Sequence, residues 1–128
     1  MDFSETEEQG MIREMVRDFA ESVLAPTCLE RDRAQQAPLD EWAAFCEQSG
    51  LQGITIPENY GGSPVDDVSE AIIVEELARV DPSFSVMYCV HVGLCSKTIA
   101  LNGNDQQKQE YLSRLAGNEI SAYSLSEA

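Results

Sequence analysis

The residues whose types could do chemistry are His91, the adjacent Glu75 and Glu76, the paired glycines Gly61 and Gly62, and four cysteines, Cys28, Cys46, Cys89 and Cys95. A nucleophile-activating triad or a zinc site needs histidine, and the chain has one. No glycine-rich phosphate loop and no GxSxG turn is present. His91 lies among Val90, Val92 and Leu94 and reads as a packed histidine with a satisfied nitrogen. Adjacent Glu75 and Glu76 point about 100° apart on a helix and cannot act as an acid–base pair. One is expected in solvent, the other on a cation such as Arg79. Gly61-Gly62 lacks a following lysine and sits among acids, which suits a tight turn better than a phosphate cradle. The cysteines form no CxxC pair, and Cys89 and Cys95 fall on different helix faces, so they read as reduced, buried thiols. No catalytic or metal-binding residue is assigned, and reduced thiols suit a cytoplasmic location.

The elements that would position these groups are helices, and the expected fold is all-α, an up-and-down type bundle of about five helices with a short extended C-terminal tail. Ser4 and Glu7 have capping-box spacing, and Ile12, Val16, Phe19 and Leu24 recur at helical intervals up to Pro26. Residues 28–37 show no apolar stripe and read as a polar connection with at most a helical turn. Leu39, Trp42, Phe45 and Cys46 form the next stripe, closed by Gly50 as a left-handed cap. Glycine and proline density makes 50–64 an ordered loop. Asp66 or Asp67 caps a helix that Asp81-Pro82 ends. The most apolar helix, about Ser83 to Leu101, is expected at the centre of the core. Asn104 and Gln107 cap a last helix that stops at Gly117, and both Trp42 and Tyr111 are expected to be largely buried. Beyond it the helical period is lost, and Ile120, Tyr123 and Leu125 would make a sticky edge that is mobile or borrows a partner.

Composition narrows the classes of partner. The chain has 128 residues, 43% of them hydrophobic, enough for one domain with its own core. A formal net charge of −15 repels phosphates, so neither nucleic acid nor an anionic membrane surface is expected. The first residues, Met1 to Glu5, have neither the basic nor the apolar part of a secretory signal. His91, Ser96 and Lys97 inside the apolar stretch 84–101 make it a core helix of a soluble protein rather than a membrane span.

Five motifs then recur in order: Phe19-Ala20 with Leu24-Ala25-Pro26 and Asp32-Arg33, the block from Gly50 to Gly62, Glu75 to Asp81, Val90-His91, and the block from Asn102 to Leu112. Together they resemble the N-terminal helical domain of acyl-CoA dehydrogenases over essentially the whole chain. Pro64 departs from a glycine usual in the family, and Ser126-Glu127-Ala128 stands where Thr-Glu-Pro is common. The resemblance implies that residues 1–118 are the N-terminal helical domain and 119–128 the start of a middle β-domain, the chain stopping partway through a flavin-contacting segment. It implies FAD as cofactor, an acyl-CoA substrate, electron-transferring flavoprotein as the reoxidant and a homo-oligomer, a tetramer in the family. It places Met87, Val90 and Leu94 against the acyl chain and Tyr123, Leu125 and Ser126 against the flavin. The same apolar residues would serve equally as simple core. The glutamate that removes the α proton belongs to the family's C-terminal domain, so the chain alone would be inactive and would hold FAD weakly. A flavin monooxygenase or nitroalkane oxidase on the same fold, and a free-standing helical interaction module, stand as alternatives.

Overall fold

The computed structural model describes residues 4–126 and is all-α, with no strand among the described residues. Helix α1 (Glu7–Phe19) runs on as a wider π-helical stretch (Ala20–Leu24) and buries Ile12, Val16, Phe19, Ala20 and Leu24. Its capping box lies two residues beyond the expected Ser4: the Thr6 hydroxyl accepts from Gln9 N at 3.2 Å while Gln9 Oε1 accepts from Thr6 N at 3.0 Å. The expected polar connection is in part a helix, α2 (Cys28–Ala34), ended by Gln35 in the left-handed conformation at φ 54°. The described residues therefore form six helices, where about five were expected. Helix α3 (Leu39–Ser49) stops at Gly50, φ 66°, as its sequence demanded.

The loop that follows holds two 3₁₀ turns (Leu51–Gly53 and Glu58–Tyr60), and Gly61 ends the second at φ 87°, a tight turn. Gly62 is needed for a different reason: a Cβ there would lie 1.9 Å from the carbonyl oxygen of Ile56. Asp66 caps α4 (Asp67–Val80) by accepting from Val68 N and Ser69 N. A single residue, Asp81, separates α4 from α5 (Pro82–Asn102), and its side chain caps α5 by accepting from Phe84 N. Helix α5 is α-helical over Pro82–Cys89, π-helical over Val90–Ser96 and α-helical again over Lys97–Asn102. Helix α6 occupies 105–115 behind the expected Asn104/Gln107 capping box.

The core is aromatic. Phe45 meets Phe19, Phe84 and Tyr88 edge to face, with ring centroids 5.1, 5.6 and 5.5 Å apart. A smaller cluster, Ile56, Leu112 and Leu115, seats α6 on the loop. Trp42 is buried as expected, but Tyr111 is 41% exposed, because Leu112 and Leu115 supply the buried stripe of α6 instead. Helix α5 has the length and mean hydropathy, 1.4, of a membrane span, and it puts Phe84, Tyr88 and Val92 into the core. The remaining tail, residues 119–126, has no regular structure; Glu127 and Ala128 of the Thr-Glu-Pro-like segment lie outside the described residues, as do Met1 to Phe3.

Candidate functional site

Helix α5 has two apolar sides, and only one is used by the core. Phe84, Tyr88 and Val92, at i, i+4 and i+8, are completely buried. The outer side carries Val86, Leu94 and Leu101, which are 63%, 46% and 74% exposed. Apolar side chains in such a row are unlike the scattered single hydrophobes of an ordinary surface, and they mark a face meant to be covered. Met87 and Val90, both half-buried, and Leu94 fall along this side at i, i+3 and i+7. The three residues assigned to the acyl chain therefore share one face, and Met87 also touches the core. Val86, Leu94 and Leu101 stand in solvent, so the stripe on this chain is an open wall.

The tail is tied to the bundle through polar contacts to the loop, α3 and α6, and to this helix at one point. Gln52 Nε2 donates to the carbonyls of Ala116 and Gly117 at 2.8 and 2.7 Å. Trp42 Nε1 donates to the Asn118 carbonyl at 3.0 Å, and Arg114 pairs with Glu119. Ser121 Oγ then lies 3.1 Å from His91 Nδ1, beside Val90. Tyr123, Leu125 and Ser126 continue past that contact and are exposed. The two assigned groups are thus joined to one helix, the first as part of it and the second by way of Ser121.

His91 is completely buried in the π-helical stretch and meets Trp42 edge to face at 4.7 Å. The expectation of a satisfied nitrogen holds for Nδ1; Nε2 has no partner within hydrogen-bonding geometry, although backbone groups of Leu115 and Gln52 lie close enough to favour the charged ring. Burial outweighs them and pushes the imidazole below its usual 6.5. Of the two glutamates, Glu75 is largely in solvent and Glu76 is buried, as expected, but Glu76 gathers three cations instead of one. Arg13 Nη1 at 2.6 Å, Arg17 through Nη2 at 2.8 Å and Nε at 3.0 Å, and Arg79 Nε at 3.3 Å all donate to its carboxylate. The hydrogen bond from Arg17, against the opposing effect of burial, leads the shifts that hold Glu76 down at about 2. A group so firmly ionised and so enclosed is an anchor for α1 on α4, not a general base.

The remaining chemistry is inert. All four cysteines are free thiols, Cys46 and Cys95 buried and Cys28 and Cys89 half-buried, and burial pushes Cys46 up to about 11. No group of three or more His, Cys, Asp or Glu side chains fit to hold a metal occurs among the described residues. Among the described residues, this surface offers an exposed apolar wall on α5 and a tail tied to the bundle.

Comparison with known proteins gives this arrangement a context. The family model described as acyl-CoA dehydrogenase, N-terminal domain, matches residues 6–119. A short-chain-specific acyl-CoA dehydrogenase of Clostridium acetobutylicum is 40% identical over 99% of this chain and 34% of its own length. Butyryl-CoA dehydrogenase of Megasphaera elsdenii superposes with a TM-score of 0.82 at 32% identity, covering 92% of this chain and 31% of that one. An acyl-CoA dehydrogenase of Bacillus anthracis, complexed with FAD, gives 0.82 at 32% identity over 97% of this chain and 21% of its own. The chain spans about a third or less of the length of these relatives.

Proposed function

Because the chain belongs to the acyl-CoA dehydrogenase family, we propose that it serves as the N-terminal helical domain of a flavin-dependent enzyme that oxidises acyl-CoA thioesters to 2,3-enoyl-CoA. The observation that carries this reading is the exposed apolar side of α5. A fatty acyl chain is recognised by apolar surface alone, and Met87, Val90 and Leu94 supply such surface at one wall of a pocket that other parts of the enzyme would close. Six of the eight basic residues, Arg13, Arg17, Arg31, Arg79, Lys97 and Arg114, are committed to ion pairs within the chain. Little positive charge is left for the phosphates of coenzyme A, which suits a domain that handles the acyl end.

Tyr123, Leu125 and Ser126 offer exposed apolar surface and a hydroxyl, a donor set compatible with a flat heteroaromatic ring. FAD, when bound, supplies the hydride acceptor at this junction. This chain's own part is to hold the acyl chain against α5 and to present the tail; the base that takes the α proton comes from elsewhere in the enzyme. By itself the chain holds FAD weakly and is inactive, since tight binding needs most of a ligand's surface enclosed. Electron-transferring flavoprotein as the reoxidant, a homotetrameric assembly and a cytoplasmic location complete the reading.

The test is a chimera in which this chain replaces the corresponding first third of the Clostridium relative. The expected product is a soluble yellow protein that dehydrogenates a short acyl-CoA, while the chain alone stays colourless after gel filtration with FAD. A soluble, folded chimera without flavin would overturn the proposal.

A further inference from the structure

The tail is attached to the bundle at points that converge on two rings. Trp42 donates its indole N–H to Asn118 and also packs its ring on His91, whose Nδ1 meets Ser121. The indole and the imidazole therefore hold residues 118 and 121 as one unit, and the segment from 119 to 126 leaves the bundle in a direction fixed by that unit. Both rings are buried: Trp42 is 3% exposed and His91 0%. The groups facing His91 are Trp42 from α3, backbone of Gln52 from the loop, backbone of Leu115 from α6, and Ser121 from the tail; each is uncharged.

We propose that His91 is a positioning residue that, as a neutral imidazole, sets the direction of residues 119–126 relative to α5, so that protonation of its ring releases this segment. A simple core histidine would need no contact to an otherwise irregular tail, and an imidazole packed only to fill space could be exchanged for an apolar ring. Here a polar nitrogen of α5 meets the hydroxyl of a tail residue, Ser121. A charged ring in this site would meet only backbone of Leu115 and Gln52 and the Ser121 hydroxyl, with no anion to compensate it; burial outweighs those groups, and the cost of burying the charge is relieved when the ring turns out toward water. Ser121 loses its partner when that happens. The bearing of the latch on catalysis rests on the reading above, in which α5 faces the acyl chain and the tail faces the flavin: the latch would then set the distance between the two halves of the site.

The chain itself allows the test, because His91 is its only histidine and Trp42 its only tryptophan, so both report without ambiguity. Ring NMR signals of His91 and backbone order of residues 119–126 are followed from pH 8 to pH 5. Restricted backbone motion near Ser121 is expected at pH 8, with a rise in mobility whose midpoint coincides with titration of His91 at a pH below 6.5. Ser121→Ala should loosen the tail at every pH while leaving the Trp42 near-ultraviolet signal in place, and Ser121→Thr, which keeps the hydroxyl, should restore order. A tail as ordered in Ser121→Ala as in the parent chain, a tail already mobile at pH 8, or a loosening that does not track His91 would each overturn the latch. None of these readouts involves flavin or acyl-CoA: a colourless chimera sinks the functional reading and leaves the latch standing, and a mobile tail does the reverse.

Discussion

Where α1 meets α4, a buried carboxylate collects three guanidinium groups, and Glu5, Glu75 and Glu21 surround them with further negative charge. On the outer side of α5, one helix further along, Val86, Leu94 and Leu101 stand in water. The first interface is finished within the chain, since every strongly ionised group has its opposite and Glu76 has no lone pair left to offer a ligand. The second is apolar and open. If α5 faces the acyl chain, as proposed, a domain that closes one side with charge and leaves another apolar separates stability from binding: the closed side can be tuned without touching the ligand, and the open side can be altered without unfolding the bundle.

The sharpest way to break that comparison is Glu76→Ala. Removing one member of a buried ion pair typically costs 3–5 kcal/mol because its partners are left uncompensated. Arg17 and Arg79 are each nearly half exposed and can rehydrate, so a loss of about 3 kcal/mol in urea unfolding is expected. A loss under about 1 kcal/mol, the size of an ordinary surface pair, would mean the α1–α4 side is not closed by charge at all.

Acid should dismantle the same side next. The Glu76 carboxyl lies below its usual 4.5, at about 2, in the folded chain. The unfolded chain therefore takes up the proton first as pH falls, so the contribution is complete above about pH 4.5 and disappears toward pH 2. Screening by the half-exposed arginines reduces its size to about 2 kcal/mol. Unfolding measured from pH 5 to pH 2 should show this decline, and Glu76→Gln should remove about that much of the slope. An unchanged slope would assign acid sensitivity to other carboxylates, such as Asp66 at the α4 cap, whose pKa is also lowered, chiefly by its hydrogen bonds from Ser69.

The sequence was most legible where a local signal does the work. Gly50, Asp66, Asp81 and the Asn104/Gln107 box each mark a helix end by backbone chemistry that three or four residues contain. Helix α2 was missed because its purpose is not local. It buries no residue, and its contribution is Arg31, which pairs with Glu41 of α3 at 2.6 Å and with Asp81 at the head of α5. Periodicity cannot report a helix that is held by ion pairs to distant elements. The π-helical stretches were invisible for a related reason, since a 3.6-residue template fits their residues almost as well. Met87, Val90 and Leu94 could be placed on one face from spacing, but an apolar helix reads the same whether its second side meets core or solvent. The tail contacts of Trp42, Gln52 and His91 left one usable trace, polar groups inside otherwise apolar runs.

The smallest expected effect is the one that most sharpens the contrast between the two sides. Val86→Ser and Leu94→Ser remove apolar surface that is already in water, so neither creates a cavity nor strands a buried polar group, and each should change stability by no more than about 0.5 kcal/mol. An equivalent change on the inner side gives the scale: Phe84→Ala, at a completely buried position, should cost about 3–5 kcal/mol. If Leu94→Ser proved as damaging as Phe84→Ala, the outer stripe would be part of the core and could not be a binding wall. If it is neutral in the isolated chain, its effect should reappear in the chimera with the Clostridium relative as weaker binding of the acyl-CoA. Val86→Ser, one turn from Val90 but outside the three residues assigned to the acyl chain, is the internal control and should weaken that binding less. The pair of results, stability unchanged and affinity lowered at Leu94 more than at Val86, is the outcome that only a wall facing the acyl chain produces.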